Sequence, residues 1–271
     1  MTESRSVVST AHPTGPSHVG LYTPPVGDRA VIDKLVLAID QTEVADILRL
    51  GRNVLGRVGG VKISTHLVQR MPPGRAFEFV RNHHALSIFY DARYVDDRPA
   101  TLAADIRVVC GDDKVPMRAP EFVSVHHAVG RKCLVAAVEA AQGRTEVVVF
   151  LSSSNLAPEE YVAMHDAPAE DVVRKWARIA ADAGVRSVMC AAADAWVIKE
   201  DSQCSHLRVY GTGIRDVGEQ SGEHKRIISP ELALRNGVDF LVLGAPIVDA
   251  QQPGEVLDRY AAVVRHHRRR R

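Results

Sequence analysis

Short apolar runs alternate with helix-length amphipathic segments from Lys34 almost to the end of the chain. Nine of these runs have the length and the β-branched content of strands. They cover residues 35–40, 60–64, 85–90, 105–110, 122–126, 146–152, 187–191, 207–211 and 240–244. Nearly continuous apolar strands separated by helices indicate a parallel sheet that is covered on both faces.

The clearest amphipathic helix is predicted for residues 167–183. Pro168 stands near its start, where a missing N–H is tolerated, and Gly184 follows its end. The apolar positions that recur at helical spacing are Val172, Val173, Trp176, Ile179 and Ala180. We therefore expect this face of the helix to pack against the sheet.

The number of strand–helix units predicts the architecture. About eight units in about 235 residues favour a closed (β/α)8 TIM barrel of the α/β class over an open sheet. Nine candidate strands exceed the eight positions of such a barrel, so one candidate is not a barrel strand. The run 105–110 is the weakest of them, and we expect an insertion or part of a helix there.

Three regions of the chain differ in composition. Residues 1–30 are rich in Ser, Thr, Pro and Gly, and we expect a flexible N-terminal extension. Residues 31–262 are expected to form the catalytic barrel. Residues 263–271 form a basic C-terminal tail, which we expect to be solvated and disordered, with binding of an anionic partner as the alternative.

Composition narrows the classes of function. The chain has 34 basic and 33 acidic residues, so no overall charge favours nucleic acid. No apolar run approaches the roughly 18 residues of a membrane helix, and the N-terminus does not resemble a secretory signal. Four cysteines without a C-x-x-C pair favour a reducing cytoplasm. Histidines and acids do not recur at metal-ligand spacing, so neither a metal nor a cofactor is expected.

Polar residues stand at the predicted ends of the strands, and in a barrel of this kind those ends form the mouth of the active site. They are Asp40, Lys62, Asp91, Arg93, His126, Ser152 to Ser154, Gly213, Arg215 and Gly244. Bringing several acids and bases into one mouth is costly unless each is paired. Charged residues that are kept together despite this cost in free energy indicate a functional site. The expected ligand is a small molecule.

Three clusters carry the candidate chemistry, and each has a plainer alternative. Residues 91–97, Asp-Ala-Arg-Tyr-Val-Asp-Asp, place an acid, a base and an acid at i, i+2 and i+5, as a surface salt-bridge turn would also do. The glycine-rich stretch 213–226 is either a loop that closes over an anion or an exposed loop. Residues 243–247, Leu-Gly-Ala-Pro-Ile, either let the backbone approach a ligand or form a simple strand-to-helix turn.

Two further candidates carry less weight. His126 follows a strand, and a lone histidine in that position is more often structural than catalytic. The serines at 152–154 lack the G-x-S-x-G pattern around them, so a hydrolase nucleophile is not expected.

In their order along the chain, these clusters resemble the orotidine 5'-monophosphate decarboxylase family over about residues 35–249. Leu-Ala-Ile-Asp at 37–40 is similar to the first strand of the family, and Val-Lys-Ile at 61–63 to the second. Residues 89–96 resemble the D-x-K-x-x-D signature, and residues 124–126 the fourth strand. Residues 213–230 resemble the phosphate loop after the seventh strand, and residues 236–247 the last strand.

The resemblance implies a lyase that decarboxylates a pyrimidine nucleotide through a carbanion at C6, which the protein stabilises electrostatically and then protonates. It assigns catalysis to Lys62, Asp91, Arg93 and Asp96, with Asp96 reaching into the neighbouring site of a homodimer. It assigns substrate binding to Asp40, His126, Ser153, Gly213, Arg215, His224, Lys225, Arg226, Gly244 and Ala245, with Asp40 at the ribose.

Three residues depart from the family pattern. Arg93 replaces the signature lysine, Ala245 replaces a phosphate-binding arginine, and His224 replaces a glutamine. A guanidinium stabilises an anion but is planar, and its pKa lies above about 12. Either Arg215 or one of the basic residues at 225 and 226 replaces the lost phosphate contact, or the substrate lacks a phosphate there.

Three functions therefore stay open at the level of sequence. The first is a divergent decarboxylase of orotidine 5'-monophosphate or a close relative. The second is another reaction on the same fold, catalysed by a lyase, isomerase or hydrolase that acts on a different nucleoside or sugar. The third is a non-catalytic barrel that binds nucleotides.

Overall fold

The computed structural model describes residues 26–40, 44–83, 87–111, 117–216, 218–219 and 222–270. Within these ranges, eight parallel strands close into a barrel, with each strand beside the next in chain order and the last beside the first. The strands are β1 Leu35–Ile39, β2 Gly60–Ser64, β3 Ser87–Tyr94, β4 Phe122–His126, β5 Glu146–Phe150, β6 Ser187–Ala191, β7 Arg208–Thr212 and β8 Phe240–Leu243. The predicted (β/α)8 barrel is confirmed.

Helices follow the strands and cover the outside of the barrel. They are α1 Val26–Ile32, α2 Val44–Leu55, α3 Thr65–Arg70, α4 Pro73–His83, α5 Pro99–Cys110, α6 Gly130–Ala141, α7 Pro158–His165, α8 Ala169–Asp182, α9 Ala195–Lys199, α10 Pro230–Arg235, α11 Ala245–Val248 and α12 Pro253–Arg269. Two 3-10 turns, His127–Val129 and Ala192–Asp194, follow β4 and β6. The amphipathic helix expected at 167–183 corresponds to α8.

The run 105–110 forms the end of α5, so the weakest of the nine strand candidates is indeed part of a helix. Leu102, Ile106 and Val109 are buried on one face of this helix, which explains why its end looks like an apolar strand in sequence. β3 is longer than expected and continues to Tyr94, with a register shift against β4 between Tyr90 and Tyr94. The first predicted residues of this strand, 85 and 86, lie outside the described residues.

The barrel interior is filled by side chains and is not an open pore. One buried cluster inside it contains Val36, Ala38, Phe89, Val148, Phe150, Met189, Tyr210 and Val242. A larger buried cluster lies between the strands and the surrounding helices. Because the interior is packed, a ligand can reach the barrel only at its rims.

The two ends of the chain differ from the expected boundaries. Helix α1 begins at Val26, inside the predicted extension, while residues 1–25 lie outside the described residues. The expectation of a disordered tail at 263–271 is wrong, because α12 continues to Arg269. Apolar residues up to the fully buried Val264 hold this helix against the barrel, and its basic residues follow on the last turns. Within the described ranges, every helix is too short or too polar to span a bilayer.

Candidate active site

The carboxyl ends of the strands surround a cavity of about 430 Å³. Its wall is formed by the ends of β1, β2, β3, β5, β7 and β8 and by the segments that follow β1, β5, β7 and β8. Among the residues that the sequence predicted for the mouth or for substrate binding and catalysis, those that line the cavity are Asp40, Lys62, Arg93, Ser153, Ser154, Gly213, Arg215, His224, Gly244 and Ala245. Because the carboxyl ends of the strands meet at one mouth, these residues lie together although they are up to 205 positions apart in the chain, from Asp40 to Ala245.

Asp91 is the centre of a charged network behind one wall of the cavity. Lys62 Nζ donates to Asp91 Oδ2 at 2.9 Å and to Asp40 Oδ1 at 3.1 Å. Arg93 donates through Nε and Nη2 to both oxygens of Asp91, at 3.2 and 3.1 Å. Ser124 Oγ donates to Asp91 Oδ1 at 2.7 Å. The side chains of Asp91 and Lys62 are only 2% and 6% exposed, so the network is shielded from water except at Asp40 and Arg93.

Both buried members of this network carry their charge. Burial opposes ionisation of Asp91, but the cations of Lys62 and Arg93 and the hydrogen bonds from Arg93 and Ser124 hold its pKa well below its usual range. Burial by itself would lower the pKa of Lys62, but the carboxylates of Asp91 and Asp40 raise it above its ordinary value. The wall therefore presents the cations of Lys62 and Arg93, and the carboxylate of Asp91, which does not line the cavity, is fixed directly behind them.

Arg93 is held in one orientation by three different contacts. Its backbone has a positive φ of 47°, which is uncommon for a residue with a side chain. Its N–H donates to Ser124 Oγ at 2.8 Å, and its Cζ lies 4.1 Å from the centre of the Phe150 ring. The bidentate bond to Asp91 and the stacking on Phe150 both use the planar shape of a guanidinium. A lysine could not reproduce this arrangement.

The loops after β5 and β7 form the opposite wall. Ser154 Oγ lies 2.7 Å from His224 Nδ1 and 3.2 Å from Thr212 Oγ1. Gly213 has φ of 72°, and a Cβ there would come within 2.6 Å of both Arg226 O and Ser154 Cβ. Burial and the charge of Arg215 lower the pKa of His224. This wall is therefore tightly packed and presents a histidine that favours its neutral form.

Arg226 lies beneath this wall and not in it. Its Nη1 donates to Asp194 Oδ1 at 2.7 Å, its Nη2 donates to Ser153 O at 2.9 Å, and its guanidinium lies 4.7 Å from the Tyr161 ring centre. Neither Arg226 nor the exposed Lys225 is among the described residues that line the cavity. The structure thus separates these two basic residues from the other predicted substrate ligands.

His126 and Asp96 also lie outside the cavity lining of this chain. His126 Nδ1 accepts a hydrogen bond from Ala128 N at 3.2 Å. Its neighbour His127 is buried, its Nδ1 lies 3.1 Å from Phe150 O, and burial lowers its pKa to about 4. Asp96, two residues past the end of β3, accepts from Arg98 Nη2 at 2.7 Å.

The end of the cavity next to β8 is not strongly basic. Arg215 lines it and is 7% exposed, and burial lowers the pKa of this arginine. Two carboxylates, Glu223 and Asp249, line the same cavity, and Ala245 offers only a methyl group. An anionic group bound at this end would meet carboxylates as well as one arginine.

Sequence reasoning missed several residues that shape the site. Phe150 stacks on Arg93, Asp194 holds Arg226, and Asp249 lines the cavity. Asp194 ends the 3-10 turn after β6 and Asp249 follows the short helix α11 after β8, and such positions are only a weak signal. Phe150 is the last residue of β5, and only its place beside Arg93 in three dimensions reveals its contact. Within the described parts of the chain, no group of three or more His, Cys, Asp or Glu residues is placed so that it could hold a metal ion.

Fold and site together define a (β/α)8 barrel with a paired acid–base array at its carboxyl-end mouth. A family model described as "Orotidine 5'-phosphate decarboxylase / HUMPS family" matches residues 33–260, and the chain belongs to this family. This confirms the family resemblance seen in the sequence.

Individual relatives agree with this assignment. An orotidine 5'-phosphate decarboxylase of Thermobifida fusca (strain YX) is 33% identical over 229 residues, which are 84% of this chain and 94% of the relative. One of Halorhodospira halophila is 33% identical over 238 residues, covering 85% of this chain and 95% of the relative. The crystal structure of an orotidine 5'-phosphate decarboxylase from Lactobacillus acidophilus superposes with a TM-score of 0.67 at 17% identity, covering 85% of this chain and 98% of that one. At that identity the structural likeness supports the fold alone.

Proposed function

We propose that this protein decarboxylates orotidine 5'-phosphate or a close relative at C6 of the pyrimidine. The observation that carries the proposal is the Asp91-centred network, in which two cations flank a buried carboxylate at the cavity wall. The reaction leaves an electron pair on C6, and a preorganised cationic wall stabilises that charge without a metal or cofactor. The relatives named for this reaction support the same substrate class.

In the proposed reaction, the C6–carboxylate bond breaks, carbon dioxide leaves, and the bonding electrons stay on C6. Departure of the carboxylate relieves its repulsion by Asp91, which stays ionised because of its three donors. The cations of Lys62 and Arg93 stabilise the carbanion until one of them transfers a proton to C6. Water then restores that proton.

The proposal is tested by incubating the purified protein with orotidine 5'-phosphate and following the loss of the ultraviolet band of the substrate. Lys62→Ala and Asp91→Asn variants are the matched controls for contamination by another enzyme. We expect turnover by the natural protein that both substitutions abolish. Absence of turnover at high enzyme concentration excludes the proposal, and binding without turnover favours a non-catalytic nucleotide-binding barrel.

We further propose that the active form is a homodimer in the reducing cytoplasm. Asp96 supports the dimer, because it follows the end of β3 outside the cavity of its own chain, next to Val95, whose exposed fraction is 66%. The family pattern sends this aspartate into the neighbouring site. The four cysteines, all of them free and buried, fit a reducing compartment.

A second candidate function is the same fold acting on a substrate that carries no 5'-phosphate. Asp249 and Ala245 favour it, since a carboxylate and a methyl group line the end of the cavity where a phosphate would need cationic partners. Calorimetric titration of uridine against uridine 5'-phosphate distinguishes the candidates. Tighter binding of the nucleoside supports this second function, and tighter binding of the nucleotide contradicts it.

A further inference from the structure

A buried ion pair lies one layer below the cavity wall. The side chains of Asp194 and Arg226 are only 3% and 9% exposed, and Arg226 Nη1 lies 2.7 Å from Asp194 Oδ1. The second oxygen of Asp194 accepts from Ser152 Oγ at 2.8 Å. Burying two charges is costly, and replacement of such a pair by apolar residues is often neutral for stability. The pair therefore calls for an explanation other than stability.

The pair joins the ends of three consecutive strands. Asp194 ends the turn after β6, Ser152 and Ser153 follow β5, and Arg226 follows β7. Arg226 also donates its backbone N–H to Ser154 O at 3.0 Å, and Lys225 donates its own to the same oxygen at 2.9 Å. One side chain and two backbone groups thus fix this stretch of chain to the β5 end.

Residues 222–228, which we call the return segment, lead back from the β7 loop to the barrel. Three of them, Gly222, Glu223 and His224, line the cavity directly. His224 stands two residues before Arg226, so the position of the Arg226 backbone limits where the imidazole can lie. Ile228 N donates to Gly213 O at 3.1 Å and closes the other end of the segment.

We propose that Asp194 and Arg226 are positioning residues that seat the return segment against the cavity and thereby set the affinity for substrate. Neither residue lines the cavity or contacts the Asp91 network, which belongs to β1–β4 on the other side of the mouth. Loss of the pair should therefore raise KM and leave kcat nearly unchanged. The kinetic part of this inference rests on the proposed function, whereas the position of the segment does not.

The informative variants are Asp194→Asn and the apolar double variant Asp194→Leu/Arg226→Met. The double variant removes both charges and places apolar side chains in the same space, so no unpaired buried charge opposes its folding, as one would in the single variant. Asp182→Asn is the matched control, because Asp182 forms an exposed ion pair with Arg131 on the surface. For the double variant we expect a KM for orotidine 5'-phosphate about tenfold or more above that of the natural protein, with kcat within about threefold. Asp182→Asn should change neither.

A second measurement does not depend on turnover. Lys225 is exposed in the return segment, so trypsin cleavage between residues 225 and 226, followed by mass spectrometry, reports how firmly the segment is held. We expect faster cleavage there in Asp194→Asn and no change in Asp182→Asn. Faster cleavage without any decarboxylation by the natural protein would leave the positioning role intact and exclude the proposed function. Unchanged cleavage in a folded Asp194→Asn variant, or a fall in kcat at unchanged KM in the double variant, would overturn the positioning role.

Discussion

Asp91 has three side-chain donors around one carboxylate, and these donors fix both its charge and its orientation. Lys62, Arg93 and Ser124 all donate to its two oxygens, and its side chain is only 2% exposed, so water does not compete with these donors. The carboxylate therefore stays charged and immobile throughout the neutral pH range. Its fixed charge and orientation are what preorganisation requires, since no rearrangement is needed when charge develops on a substrate.

Arg93→Lys should raise the rate of orotidine 5'-phosphate decarboxylation, by about tenfold. An ammonium is a compact charge whose pKa is nearer to neutrality than that of a guanidinium, so it transfers a proton more readily. The variant gives up the stacking on Phe150 and the bidentate bond to Asp91, which should lower thermal stability slightly. The measurement is the initial rate of loss of the ultraviolet band.

Arg131→Lys serves as the control for this substitution, because Arg131 lies on the surface and pairs with Asp182. It should leave the rate unchanged. A rate in Arg93→Lys that equals or falls below that of the natural protein would mean that proton transfer from this position does not limit the reaction.

The charged residues of the Asp91 network, but not Ser124, were predictable because the register of neighbouring strands brings their ends together. Ser64 pairs with Asp91 across β2 and β3, which places Lys62 within reach of the same edge. The charged residues stand in the second half of a strand or directly after it, and that position can be read from sequence. The contact between Arg93 and Phe150 was not predictable, since it depends on a positive φ at Arg93 that no local motif requires.

At the scale of elements, the close contact between the segments that follow β5 and β7 depends on Gly213. Gly213→Ala should lower the free energy of unfolding by about 2–4 kcal/mol, because the residue has a positive φ and its new methyl group would overlap the backbone at Arg226. Urea denaturation measures the loss. KM should rise as well, since the same backbone carries His224 into the cavity wall.

Gly184→Ala separates the two causes of this loss. Gly184 also has a positive φ, of 81°, but a Cβ there would meet nothing within 4 Å. This control should cost only about 1 kcal/mol and leave KM unchanged. Equal losses of free energy of unfolding in Gly213→Ala and Gly184→Ala would contradict the close backbone contact at Gly213 as the cause.

The turn after β4 should make stability depend on pH. Burial lowers the pKa of His127 from 6.5 to about 4. Between these two pH values His127 is therefore protonated in the unfolded chain and neutral in the folded protein. The free energy of unfolding is therefore unaffected by this titration above about pH 6.5. It falls as the pH decreases towards 4, by roughly 2–3 kcal/mol in all. The stability advantage of the natural protein over His127→Gln should therefore shrink between pH 7 and pH 4.5, as followed by urea denaturation.

His266→Gln is the control for this pH dependence, because His266 is exposed on the last turns of α12. The same measurement on His266→Gln shows the effect of replacing an exposed histidine on the free energy of unfolding. Burial also lowers the pKa of His126 and His224, so only the difference between natural protein and variant isolates His127. A constant difference between the natural protein and His127→Gln would exclude the predicted titration.

The elements themselves were largely predictable, and the failures have physical causes. Apolar runs of strand length lie at the eight barrel positions because every barrel strand is covered on both faces. The end of α5 looked like a strand because a helix that is buried along one face can end in an apolar run. The last turns of α12 looked disordered because their charges are local in sequence, whereas the apolar contacts that order the helix come earlier, up to Val264.

At the scale of the whole molecule, the site in one chain lacks the last member of its signature. Asp96 bonds to Arg98 two residues past the end of β3 and does not line the cavity of its own chain. If a second copy receives this aspartate, each complete site draws Lys62 from one chain and Asp96 from the other. Such an arrangement requires a symmetric dimer.

Mixing two inactive variants tests this arrangement directly. Lys62→Ala and Asp96→Asn should each be inactive alone, and an equal mixture that is allowed to exchange subunits should recover about a quarter of the natural activity. The reason is that half of the dimers formed at random are mixed, and one of the two sites in each mixed dimer has both residues intact. Lys62→Ala mixed with Asp91→Asn is the control, and it should recover nothing, since Lys62 and Asp91 bond within one chain and no mixed site contains both. Recovery in neither mixture would show that Asp96 acts within its own chain or not at all, whereas recovery in the first mixture alone requires a site shared between two subunits.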